Sequence, residues 1–318
     1  MLSGLPPLTL ALLLAAGIAL DLLLGEARRW HPLVGFGALA QRLERRLNGG
    51  GWRIARGALA WALAVLPLSA GAVWLCSIGG MPGLALHALL LYLCVGLRSL
   101  REHTLPIHAA LAQDDLPRAR WLTSRIVSRD TSQANASDLA RAGAESLLEN
   151  GNDAVFGTLF WFLVGGGAAA LLFRLANTLD AMWGYRNARF NLFGRVAARV
   201  DDVLNYLPAR LTALSYALLA PGGRLRALHC WRAQAKAWSS PNAGPVMASG
   251  AGALGISLGG AATYEGKVER RPVLGAGPAA GAGDILRAWR LVFRTALLWS
   301  AAALVLGIVL HLMGAGHA

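Results

Sequence analysis

Apolar stretches of membrane-spanning length alternate along this chain with short arginine-bearing segments. A bilayer core of ~30 Å needs about 20 apolar residues in helical form, and tilt or mismatch absorbs modest differences. Residues 5–24 meet that length, with Asp21 near the end as an interfacial or cavity-facing carboxylate. The stretch lacks a basic start and is followed by further apolar segments, so it reads as a retained helix and not a cleaved signal. Residues 58–78 and 83–97, joined by an uncharged Gly-Gly-Met-Pro turn, predict a helical hairpin, and residues 291–313 predict a final span.

The run 155–173 is long enough to cross but is broken by Gly165, Gly166 and Gly167 and followed by a basic cluster. A full crossing would set that cluster outside, so the run reads as a re-entrant or buried helix pair. Residues 98–153 are the most soluble-looking part. There DDLPRARWLTSRIVSRD has a Pro-led start and helical apolar spacing at Leu122, Ile126 and Val127. Glu145 and Glu149 lie four apart, on one face of a helix. The segment SPNAGPVMASGAGALGISLGG is either a site of close helix approach or a small-residue loop. The expected fold is all-α, a polytopic helical integral membrane protein with interfacial and re-entrant helices. It forms one domain over 1–318, with 98–154 and 174–242 facing the cytoplasm.

Composition supports this class. Hydrophobic residues make up 55% and charged residues 15%, against roughly 45–50% and about 25% in soluble domains. Mean hydropathy is +0.47. Thirty Lys and Arg face seventeen Asp and Glu, a net charge of +13, and only Lys236 and Lys267 are lysines. The basic residues sit in runs between apolar stretches and not on one polar face, which disfavours a nucleic-acid partner and points to the lipid bilayer. Arg28, Arg29, Arg42, Arg45, Arg46, Arg53 and Arg56 predict a cytoplasmic loop, hence an external N-terminus. Cys76, Cys94 and Cys230 have neither zinc nor redox spacing, and Cys76 and Cys94, in apolar stretches, read as buried packing residues.

Common catalytic fingerprints fail. Six residues before Lys267 stands Ala261, and Val268 follows it, so there is no P-loop. Gly275 and Gly277 begin a G-x-G, but Ala280 takes the third position and no strand is expected before them. There is no G-x-S-x-G, H-E-x-x-H or ligand-spaced His/Cys set, and His103 and His108 are poorly spaced for one helical metal site.

Polar density beside apolar segments is the remaining signal. It gathers in Ser128–Thr131, in Glu145–Asp153 and in the stretch from Arg174 to Arg210. Arg189, Arg195 and Glu102 read as structural ion-pair residues. Asn177, Asp180, Asp201, Asp202 and Asn205 are harder to dismiss, because a carboxylate at membrane depth costs about 2.5–3.5 kcal/mol on insertion scales and so faces a partner, a cavity or a metal. Carboxylates interleaved with arginines suit magnesium-phosphate chemistry.

In order along the chain stand DLLLGE with His31-Pro32, RSLREH, SRDT, ESLLENGND, LFW, RLANTLDAMWGYR, FG, AARVDDVLNYLPARL, SPNAG, AGALG and RPVLG. This order closely resembles the adenosylcobinamide-phosphate synthase family of cobalamin biosynthesis, the CbiB/CobD membrane proteins. The chain departs from that pattern at Glu26-Ala27, at Ala154 and Thr158, and at Pro245-Val246-Met247, where Met247 removes a carboxylate. The resemblance implies an inner-membrane ligase with a cytoplasmic active face. It would join a propionate carboxylate of adenosylcobyric acid to the amine of aminopropanol phosphate, using ATP and Mg²⁺, with other enzymes of the pathway as further partners. On this view Asp180, Asp201, Asp202, Glu145 and Glu149 are the catalytic candidates, and Asp180, Asp202 and Asp153 the metal ligands. Arg129, Arg174, Arg186, Arg199 and Arg210 would clamp phosphate or carboxylate, while Asn177, Asn205 and Asn242 orient the substrate. These groups are expected to converge from distant stretches. The alternative is a corrinoid-binding or transport protein that makes no bond; such folds often carry repeated halves, and no repeat is evident here.

Overall fold

The structure is a computed structural model describing residues 3–26, 31–264 and 266–315. Ala27, Arg28 and Arg29 of the expected basic loop lie outside the described residues. In chain order the elements are α1 (Pro7–Leu24), α2 (Pro32–Leu47), α3 (Arg53–Cys76), α4 (Gly80–Cys94), α5 (Leu97–Ala112), α6 (Leu116–Ser124) and α7 (Ala136–Gly151). A π-helical turn, Asn152–Phe156, leads into α8 (Gly157–Trp183), α9 (Arg195–Leu204), α10 (Tyr206–Leu218), α11 (Arg224–Gln234) and α12 (Ala243–Leu254). A hairpin of β1 (Ser257–Tyr264) and β2 (Lys267–Gly275) precedes α13 (Ala282–Ala315).

This is an all-α polytopic membrane protein with one small sheet. Among the described residues five helical stretches are long and apolar enough to cross a bilayer: Pro7–Leu24, Arg53–Cys76, Gly80–Ala112, Ala136–Trp183 and Ala282–Gly314. Leu304, Val305, Leu306, Ile308 and Val309 of α13 are exposed. Such an apolar surface is far larger than water-facing proteins display, and lipid accounts for it.

The chain divides into two compact units. The first comprises Met1–Gly96, Gly157–Asn205 and Ser300–Ala318. Its core packs Phe36 and Ala40 of α2, Ala60, Ala64 and Val65 of α3, Leu175, Leu179 and Trp183 of α8, then Phe193 and Ala197. Helix α1 starts with Pro7 in its first turn, where a missing N–H costs nothing. It stops at Gly25, whose N–H donates to the Asp21 carbonyl at 2.8 Å. The triple glycine breaks α8 as a backbone kink: Gly166 has φ 68°, and a Cβ there would lie 2.4 Å from His87 Cε1. The N–H of Gly167, freed by the kink, donates to His87 Nδ1 at 2.9 Å. A buried donor inside an apolar bundle is thereby satisfied.

The second unit comprises Leu97–Phe156 and Tyr206–Trp299. Asp115 caps α6 by accepting from the Arg118 N–H at 3.1 Å, and Asn135 with Asp138 forms a reciprocal capping box on α7. Every residue of α12 is buried. A Cβ on Gly250 would meet Leu148 at 2.7 Å and one on Gly252 the Ala227 backbone at 2.8 Å, so the small-residue segment is a site of close helix approach.

Four local expectations are corrected. Helix α6 ends at Ser124, leaving Ile126 and Val127 beyond it. The turn after α3 is made by Ser77, Ile78 and Gly79 and not by the Gly-Gly-Met-Pro run, since Gly80, Met81 and Pro82 open α4. Cys76 is only half-buried, unlike Cys94. A strand does precede Gly275, but it pairs antiparallel with β1, so it does not belong to a nucleotide-binding βα unit.

Candidate functional site

In each unit, buried polar side chains from separate stretches of sequence come together. In the second unit the centre is Glu145 of α7, whose side chain is only 3% exposed. Arg271 of β2 faces it with two prongs, Nη1 donating to Oε2 at 3.0 Å and Nη2 to Oε1 at 3.2 Å. Arg129 donates to the same Oε2, and the backbone N–H of Gly259 donates to Oε1 at 2.7 Å. The hairpin makes this possible through a register shift between Gly259 and Gly260. At that bulge Gly259 takes φ 77°, and a Cβ would lie 2.0 Å from the Pro272 carbonyl. The Asp130 N–H donates to the Thr263 carbonyl at 2.8 Å, tying the Ser128–Thr131 segment to β1. Arg271 also stands over the Trp238 ring, 5.4 Å from its centre.

Glu149 lies one turn beyond Glu145, half-buried, and its carboxylate makes no hydrogen bond or ion pair among the described residues. Asn152 and Asp153 sit in the π-helical turn, where an extra residue rotates side chains out of helical phase. Asn152 Nδ2 donates to Asp153 Oδ1 at 3.0 Å and its Oδ1 accepts from the Thr212 hydroxyl at 3.0 Å. Arg210 of α10 grips the turn before α12: Nη1 donates to Asn242 Oδ1 at 2.8 Å and Nη2 to the Pro241 carbonyl at 3.1 Å. Ser240 Oγ accepts the Ala243 N–H at 3.1 Å, which fixes the same turn.

In the first unit the centre is Asp201 of α9. Asn177 of α8 donates to Oδ1 at 3.1 Å, and Asn205 donates to both carboxylate oxygens at 3.1 Å. All three side chains are buried. Burial pushes the Asp201 carboxyl up to about 6, although the two amides and their hydrogen bonds pull it back. Asp202 beside it is more open. Burial raises its carboxyl too, opposed by the positive charges of Arg199 and Arg186. Arg199 reaches to 3.9 Å from Asp202 with its side chain 80% exposed, and Arg186 is exposed. Asp180 folds over Gly184, where a Cβ would lie 2.1 Å from Oδ1. Arg174 is half-buried on α8, and its carbonyl accepts the Thr178 hydroxyl at 2.7 Å.

Arg189 forms a two-pronged pair with buried Glu44, at 3.0 and 2.8 Å. The Arg189 hydrogen bond, ahead of the other influences, holds the Glu44 carboxyl below its ordinary value. Glu102 pairs with Arg98 at 2.6 Å within α5. Among the candidates, then, the structure brings together Asn177 with Asp201 and Asn205, Arg199 with Asp202, Glu145 with Arg129, and Arg210 with Asn242. Sequence reasoning missed Arg271 and Gly259 as partners of Glu145. The one available signal was Thr263-Tyr264 and Val268, β-favouring residues on either side of a turn-forming Gly266.

Residues 14–292 match the family model described as CobD/Cbib protein. The chain is 58% identical over 287 residues to a protein of Stutzerimonas stutzeri named cobalamin biosynthesis protein CobD, covering 89% of this chain and 93% of that one. A protein of the same name from Chromobacterium violaceum is 52% identical over 315 residues, covering 97% and 99%. Another, from Rhodobacter capsulatus, is 39% identical over 309 residues, covering 94% and 97%. No solved structure matches.

Proposed function

The chain belongs to the CobD/CbiB protein family of cobalamin biosynthesis, and on that premise we propose that it is an ATP-dependent amide-forming ligase. Its substrates are adenosylcobyric acid and aminopropanol or its phosphate, its product adenosylcobinamide or its phosphate, and its active face is turned to the cytoplasm from the inner membrane. The observation that carries this reading is the buried Asp201, held by Asn177 and Asn205 with the more open Asp202 beside it.

A carboxylate is a poor acyl donor. Attack of its oxygen on the terminal phosphorus of ATP releases ADP and leaves an acyl phosphate. The amine then attacks the acyl carbon, the carbon–oxygen bond to phosphate breaks, and the amine proton passes to a base. Asp201, with its carboxyl raised to about 6, is ionised at neutral pH and close enough to that pH to accept a proton. Asp202 and Asp180 offer the hard oxygen donors that magnesium takes, one or two carboxylates being sufficient when phosphate oxygens complete the shell. Among the described residues no three His, Cys, Asp or Glu side chains gather into a metal cage. The donor set therefore suits a magnesium ion carried by phosphate. Arg186 and Arg199 are exposed beside Asp202, where an arriving anion can meet their guanidinium groups.

The test incubates purified protein with adenosylcobyric acid, aminopropanol phosphate, ATP and Mg²⁺ and follows product mass. A new amide that requires ATP and disappears on magnesium chelation supports the ligase. Corrinoid binding or vesicle flux without a change in mass overturns it in favour of a carrier.

A further inference from the structure

Arg287, Arg290 and Arg294 follow one another at spacings of three and four, so they stand on one face of α13. Across from them stands Arg226 of α11, and the four guanidinium side chains line one cavity of about 280 Å³ floored by Pro221 and Leu254. Like charges at these spacings repel on a helix. Asp284 is the one carboxylate paired with any of the four among the described residues, accepting from Arg287 Nη1 at 2.6 Å. Two of the arginines are pinned to backbone: Arg226 Nε donates to the Gly252 carbonyl at 2.6 Å, and Arg287 donates to the Leu254 carbonyl. Arg290 and Arg294 make no hydrogen bond or ion pair among the described residues, and both are exposed. The charge bias of cytoplasmic helix ends explains arginines on α13. It does not explain a fourth arginine from another helix, held in place on the same cavity.

We propose that this four-arginine cavity binds a phosphate-bearing ligand, at a site sharing no residue with the Glu145 or Asp201 constellations. Guanidinium groups bind phosphate oxygens through paired N–H donors, and several around one cavity favour a phosphate-bearing anion over a zwitterionic headgroup. Two sources offer that chemistry. One is the headgroup of an anionic phospholipid, which lies at the level where a membrane helix begins; the other is a soluble oligophosphate.

The test uses the full chain and an Arg290→Gln/Arg294→Gln variant. Each is placed in nanodiscs of phosphatidylcholine, with or without phosphatidylglycerol, and separately titrated with inorganic diphosphate. An Arg224→Gln/Arg232→Gln variant removes the same charge from exposed positions of α11 outside the cavity lining. The expected result is at least a tenfold loss of one probe in the cavity variant and less than a twofold change in the control. Loss of retained phosphatidylglycerol, read by native mass spectrometry, assigns the site to lipid. Loss of diphosphate binding assigns it to a soluble ligand. Equal losses in both variants, or no loss in the cavity variant, overturn the proposal.

Discussion

Glu145 and Arg271, 126 positions apart, meet as a two-pronged ion pair, with Nη1 3.0 Å from Oε2 and Nη2 3.2 Å from Oε1. Arg129 shares the same carboxylate, so two cations depend on one buried anion. Glu145→Gln keeps the volume but leaves both guanidinium groups without their counter-charge. Removing one partner of such a pair costs about 3–5 kcal/mol. Thermal melting of the detergent-solubilised protein should therefore fall sharply. Arg271→Lys should also lower it, because an ammonium group cannot span both oxygens.

Asp201 gives the pH prediction. Burial holds its carboxyl at about 6, above the ordinary 3.8, so the unfolded chain loses this proton first. Its contribution to stability is fully present below pH 3.8 and is lost as pH rises through 6, by up to about 3 kcal/mol. Melting temperatures of wild type and Asp201→Asn across pH 4–7 should converge at the acid end and separate toward neutrality, with the variant the more stable. Amide formation should rise through an apparent pKa near 6 in wild type and be lost in the variant. Asn177→Ala removes one donor to the charged form. It should move that rising limb to higher pH.

His87 satisfies the Gly167 N–H at the break in α8. His87→Leu leaves that buried donor without a partner, at a cost of about 1–3 kcal/mol. The drop should be read in melting temperature. An unchanged melt together with unchanged proteolysis between residues 160 and 175 would refute this capping role.

Gly259→Ala meets two obstacles, a φ of 77° and a Cβ placed 2.0 Å from the Pro272 carbonyl. The bulge must shift, and the N–H donated to Glu145 shifts with it. A substantial loss of stability is expected, whereas Gly266→Ala, at φ 76° but with open space around it, should be milder.

The apolar periodicity made the long helices legible, because a spanning helix is specified by length and composition alone. The break in α8 was legible too, since three adjacent glycines leave helix interior unsupported. Asp201, Asn177 and Asn205 stood out because buried amides and carboxylates need partners. The hairpin did not stand out. Its two strands carry arginines at Arg270 and Arg271 and a glycine pair at Gly259 and Gly260, which mask the alternation a strand reader looks for. Nor does spacing reveal a π-helical turn. Asn152 and Asp153 look like a helix continuing from α7, and only the backbone shows the extra residue.

The paired strands carry Arg271 to Glu145 by counting residues. An odd insertion between the bulge and Arg271 turns that guanidinium to the other face of the ribbon, while a whole-turn exchange at the far tip leaves it where it was. Natural variation in this stretch should therefore collect near Gly266 and spare the base. The hairpin works as a ruler, and its calibration mark is a pair of left-handed glycines.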